Sequence, residues 1–200
     1  MKNTLISLLY FLTGILFLIF KQYPSFLTAF ILKALIIPVL MVLFLTNLRT
    51  AENLLNKLIL AGLIFSWAGD VLLEVPEGAA GLFIPGLVCF LLAHIMYLSV
   101  FFLTSGENFI LRRGIFFIVP LVIYGTGLVY YLYNGLGDMR MPVILYTAVI
   151  LTMLAGAINR LKKVNRASYW LVLAGAILFV VSDSAIAVDK FCHHFSGSEI

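Results

Sequence analysis

A handful of polar and ionisable residues lie inside or at the edge of long apolar runs: Lys33, Asp70, Glu74, His94 and Asp183, with Tyr97 three residues after His94, Tyr146 in a later run and Ser182 beside Asp183. A charge at mid-membrane costs about 2.5–3.5 kcal/mol on insertion scales, and less toward the interface. Such groups must face one another or a wet cavity. Two aspartates and one lysine do not neutralise, so either one carboxyl keeps its proton or another cation joins them. A proton-donating acid working with an ionised one is the equipment of acid-catalysed hydrolysis. Asp70 and Asp183 are therefore the candidate catalytic pair. Lys33, His94, Tyr97, Tyr146, Glu74 and Ser182 are candidate supporting or substrate-binding residues. Gly62, Gly69, Gly175 and Ser182 are small enough to let helices approach closely. The Cys192-His193-His194 run is too short and isolated to predict a metal site. No Gly-x-Ser-x-Gly, P-loop or His-Glu-x-x-His pattern occurs.

These residues sit in a chain that only lipid can solvate. Of its 200 residues, 63% are hydrophobic and 11% charged, against about a quarter charged in a soluble domain, and its mean hydropathy is +1.12. Seven runs are long enough to cross a bilayer as helices: Thr4–Phe20, Phe26–Leu48, Asn56–Val75, Leu82–Leu103, Gly114–Tyr133, Met141–Ile158 and Ser168–Val188. The first is read as an uncleaved helix, because it lacks a small-x-small cleavage site and more spans follow. The expected fold is an all-α, polytopic transmembrane bundle forming a single domain over residues 1–200, with no soluble domain.

The net charge of +4 sits in short loops, which excludes a nucleic-acid partner. One face would carry Lys2, Arg49, Lys57, Arg112, Arg113, Arg160, Lys162, Lys163 and Arg166. The other would carry only Lys21, Arg140 and Lys190. The imbalance predicts a cytoplasmic N-terminus. Lys33, Asp70, Tyr146 and Asp183 then fall toward the outer face, with His94 deeper.

An internal repeat is also expected. Leu60-Ala61-Gly62 leads to Asp70 as Leu173-Ala174-Gly175 leads to Asp183, an offset of 113 positions that also sets Ile31-Leu32-Lys33 on Ile144-Leu145-Tyr146. The repeats would cover about 1–105 and 114–200 in a parallel, four-plus-four arrangement. The eighth helix of that scheme would begin after Gly197, where the chain stops.

Lys33 with Pro38, Ala68-Gly69-Asp70-Val71-Leu72-Leu73, Ala93-His94-Ile95-Met96-Tyr97, Tyr146 and Gly175-Ala176-x-x-Phe179-x-x-Ser182-Asp183 together resemble the YhhN family, the lysoplasmalogenases. The resemblance covers nearly the whole chain. It implies an eight-helix membrane enzyme of bacterial cell-membrane type that hydrolyses the vinyl ether of a lysoplasmalogen to a fatty aldehyde and a glycerophospho-headgroup. The implied partners are the lysophospholipid and membrane lipid, with no metal or organic cofactor, and the aspartates carry over as Asp70 and Asp183. A proton-coupled transporter using the same intramembrane acids is the competing expectation. A retinal-type sensor fits poorly, since its lysine belongs in the last helix and Lys33 is in the second.

Overall fold

A computed structural model describes residues 2–20, 26–48, 53–74, 81–105 and 115–192. The described residues form seven α-helices: α1 (Lys2–Phe20), α2 (Phe26–Asn47), α3 (Leu54–Leu73), α4 (Phe83–Thr104), α5 (Ile115–Leu132), α6 (Arg140–Asn159) and α7 (Arg166–Cys192). Each corresponds to one expected span, and no strand occurs among the described residues. Five of the helices are long and apolar enough to cross a bilayer, and α1 and α5 carry shorter apolar stretches. Many large apolar side chains point outward, among them Leu5, Phe116 and Leu171 at 69%, 78% and 73% exposure. Surfaces of that kind need lipid around them. The protein is an all-helical, multi-pass membrane protein. The segment after Gly197 and the residues His193 and His194 lie outside the described residues.

The chain divides into two compact units, residues 1–97 and 98–200. In the first, α1 packs on α2 and α2 on α3. The α2–α3 contact has a local cause. Pro38 lacks an N–H, so the carbonyl of Ala34, four residues earlier, loses its helical donor. The Trp67 indole Nε1–H donates to that carbonyl at 2.9 Å. In hydrocarbon an unsatisfied carbonyl has no water to turn to, so the proline and the tryptophan form a complementary pair at Ala34, the residue after Lys33. Trp67→Phe should lower the thermal transition of the detergent-solubilised protein, costing about 1–2 kcal/mol. The loss should largely vanish in a Pro38→Ala background, where a backbone N–H returns. Equal losses in both backgrounds would refute the pairing.

In the second unit α6 packs against both α5 and α7, and its buried residues run from Val143 to Asn159. Leu132, Leu136 and Val143 form a buried cluster capped by Val188 and Phe191 of α7. That contact explains why α7 continues to Cys192, past the Asp189-Lys190 pair at which the sequence reading ended its span: Phe191 still has an apolar surface to cover. Gly135 sits so close to the Phe191 carbonyl oxygen that a Cβ would overlap it. Gly137, with φ of 49°, then starts the short 3-10 turn that leads into α6. At the opposite end of α6 the chain reverses through Lys162, a non-glycine residue at φ of 64°, and the Asn165 Oδ1 accepts the Ser168 N–H at 2.7 Å.

Candidate functional site: two carboxyl centres

In the first unit, α3 presents residues four apart along one ridge: Gly62, Ser66, Asp70 and Glu74. A side chain on Gly62 would strike the Tyr97 ring. The resulting close approach brings the Tyr97 hydroxyl to 3.2 Å from Ser66 Oγ. A Cβ on Gly69 would lie 2.6 Å from the Phe90 ring, so both glycines leave room for an aromatic side chain of α4. One turn farther along the ridge, Lys33 from α2 meets the two carboxylates. Its Nζ pairs with Glu74 and stands 4.0 Å from Asp70 Oδ1. All three side chains are about a quarter exposed. Glu74 also closes α3, its backbone N–H donating to the Asp70 carbonyl at 3.2 Å. Glu74 is thus the more intimate partner of Lys33, where the charge count from sequence had set the lysine against the two aspartates alone.

His94 is buried, at 2% exposure. Its Nδ1 lies 2.5 Å from the Phe90 carbonyl of its own helix, and since a carbonyl only accepts, this nitrogen carries the proton. The ring meets Tyr97 edge-on, 6.3 Å between centroids. The histidine therefore buttresses Tyr97, with one nitrogen already committed to its own helix.

The second unit holds the other aspartate. The Tyr146 hydroxyl, on a residue only 6% exposed, donates to Asp183 Oδ1 at 3.3 Å. Among the described residues no cation is paired with Asp183. At the offset of 113 positions, Tyr146 meets Asp183 where Lys33 meets Asp70, while Ala187 stands where Glu74 does. The two centres differ in charge: two acids with a lysine in one, one acid with a phenol in the other. Within the second unit Ser182 is exposed and Gly175 has nothing within 4 Å of a would-be Cβ, so neither makes the expected close helix contact there among the described residues. The buried serine is Ser184, which accepts from the Tyr124 hydroxyl at 2.8 Å and donates to the Val180 carbonyl at 2.7 Å. Sequence reasoning missed Ser66 and Ser184. The four-residue step back from Asp70 marks Ser66; nothing comparable marks Ser184.

The second unit also contains a cavity of about 1040 Å³ between α5 and α6, its lining including Phe102, Ser105, Leu121, Ala148 and Asn159. Tyr146 is not among its lining residues. No group of three or more His, Cys, Asp or Glu residues suited to a metal ion occurs among the described residues.

Comparison with known proteins supplies relatives for this arrangement. The bovine lysoplasmalogenase TMEM86A is 37% identical over 139 residues, covering 67% of this chain and 54% of its own length. Its human counterpart is 34% identical over the same extent. A Mycobacterium tuberculosis lysoplasmalogenase is 27% identical over 139 residues, 68% of this chain and 51% of its own length. The chain thus spans about half the length of these relatives. No solved structure matches it. The family model for YhhN matches residues 28–200, a stretch that includes Lys33, Asp70, Glu74, Tyr146 and Asp183, and on that match the chain belongs to the YhhN family.

Proposed function

We propose that this protein hydrolyses the vinyl ether of a lysoplasmalogen, releasing a fatty aldehyde and a glycerophosphocholine or glycerophosphoethanolamine. The observation that carries the reading is the electrostatic difference between the two carboxyl centres. Asp183 accepts from the Tyr146 hydroxyl, which orients its carboxyl, and no cation is paired with it among the described residues; it takes the proton-donating role. Asp70 has the Lys33 ammonium 4.0 Å away as a counter-charge, and it takes the carboxylate role. Vinyl ethers break by protonation of the β-carbon. Asp183 delivers that proton, and Asp70 as carboxylate stabilises the oxocarbenium ion and activates the water that captures it. The hemiacetal then collapses to aldehyde and alcohol. The names of the relatives support this substrate class. The excess of Lys and Arg on one set of loops supports a cytoplasmic N-terminus and an outward-lying reaction centre.

The test is product analysis on the purified, reconstituted protein. It should release aldehyde from an alkenyl lysolipid and leave the saturated alkyl ether analogue intact. In deuterated water one deuterium should enter the carbon next to the aldehyde carbonyl. Cleavage of both ethers alike would refute protonation of a vinyl ether. Proton-linked uptake with no cleavage would instead place the chain among carriers.

A further inference from the structure

Arg160 takes no part in the chemistry above. It caps the end of α6 and is buried, at 6% exposure. Its Nε donates to Thr104 Oγ1 at 3.1 Å and its Nη2 to Ser168 Oγ at 3.4 Å. The guanidinium lies over the Phe101 ring, 5.2 Å from the centroid. Nη1 is buried and makes no hydrogen bond, and no carboxylate pairs with the group among the described residues. Among the described residues this buried guanidinium is held by two hydroxyls and a ring, with no carboxylate to answer its charge, and that is an expensive arrangement. The neighbouring turn adds Lys162, Lys163 and Arg166, all exposed. The cavity between α5 and α6 reaches this same end: Ser105 and Asn159, which help line it, are the chain neighbours of Thr104 and Arg160. From Ile144 to Asn159 it follows α6 for about 22 Å at 1.5 Å per residue, longer than one leaflet's share of a hydrocarbon core about 30 Å thick.

We propose that this end of the second unit is a binding site for an anionic phospholipid, with Arg160 and its hydroxyl partners taking the phosphate and the α5–α6 cavity taking a fatty chain. Guanidinium and phosphate match in charge and in bidentate geometry, and basic pockets between membrane helices are known to hold anionic headgroups. The bound lipid is not the substrate of Asp183. Along α6, Tyr146 and Arg160 are about 21 Å apart, whereas only a glycerol backbone separates the phosphate of a lysolipid from its ether. The site stands independently of the hydrolase reading.

Native mass spectrometry of the full chain, offered phosphatidylglycerol and phosphatidylcholine of identical chains, tests the proposal. The protein should retain one phosphatidylglycerol in preference to phosphatidylcholine. Arg160→Gln should weaken that retention by roughly tenfold, the worth of one charge-assisted hydrogen bond. Arg160→Lys should keep part of it, and Lys163→Gln, an exposed neighbour, should change it little. Asp183→Asn should retain lipid as the unaltered protein does, whatever happens to turnover. Equal retention of the two lipids by the unaltered protein overturns the site, a result that needs no variant to fold. So does a Lys163→Gln loss as large as that of Arg160→Gln, which would reduce the effect to general surface charge. Displacement of the lipid by glycerol 3-phosphate at comparable concentration would show a soluble phosphate site and refute the lipid.

Discussion

Asp183→Asn should cut aldehyde release by about 100-fold to 10,000-fold, the range that one general acid contributes, while the thermal transition of the protein stays near its original value. Asparagine matches aspartic acid in size and still accepts from the Tyr146 hydroxyl, so the packing between α6 and α7 survives. What it cannot do is give up a proton to carbon. Asp70→Asn should lower turnover by a similar order, but for another reason: in the proposed mechanism it removes the carboxylate that answers the developing cation, leaving Lys33 to Glu74. Tyr146→Phe should have the smaller effect of a lost orienting hydrogen bond. Asp189→Asn, on an exposed acid nearly two turns beyond Asp183, should leave turnover unchanged. Full turnover in either Asp70→Asn or Asp183→Asn sinks the two-carboxyl mechanism.

Lys33→Met should produce the largest loss of stability among single changes at the site, about 3 kcal/mol by thermal or denaturant unfolding in detergent. Methionine keeps most of the length and all of the apolar stem. It strips the cation from between Asp70 and Glu74, which are one helical turn apart on α3. Two carboxylates then share a half-buried position with no counter-charge. Removing one partner from a buried pair costs about 3–5 kcal/mol. The quarter exposure of these side chains places the expectation at the lower end. The argument carries an internal check. Adding Glu74→Gln to Lys33→Met removes one of the two stranded charges and should restore roughly half of the loss. If the double variant is no more stable than Lys33→Met alone, the destabilisation comes from packing and the ion-pair account is wrong.

Much of this protein is legible in the sequence because lipid is a demanding solvent. A span needs about 20 apolar residues and cannot leave its backbone unpaired, so the seven helices follow from counting. The boundaries near Tyr23-Pro24, Asn134-Gly135 and Lys162–Asn165 follow from turn chemistry. Ionisable residues inside those spans stand out for the same reason: their insertion cost makes them too rare to be incidental. Lys33, Asp70 and Asp183 were therefore identifiable before any coordinates, as was the family resemblance built on their surroundings. Tertiary structure decided which of them meet. Lys33 pairs with Glu74 as well as Asp70 because the Gly62–Gly69 face of α3 packs against α4 and the Pro38–Trp67 contact draws α2 in. Asp183 is joined to Tyr146 through the α6–α7 contact. The role of Arg160 was invisible for the opposite reason. In sequence it is one loop cation among several, and only the packing of Phe101, Thr104 and Ser168 around it turns a solvated charge into a buried one. Apolar periodicity locates a helix in lipid but does not say which face turns inward, because the lipid and the core are equally apolar. Small residues, prolines and buried hydrogen bonds make that choice, and these act only across helices.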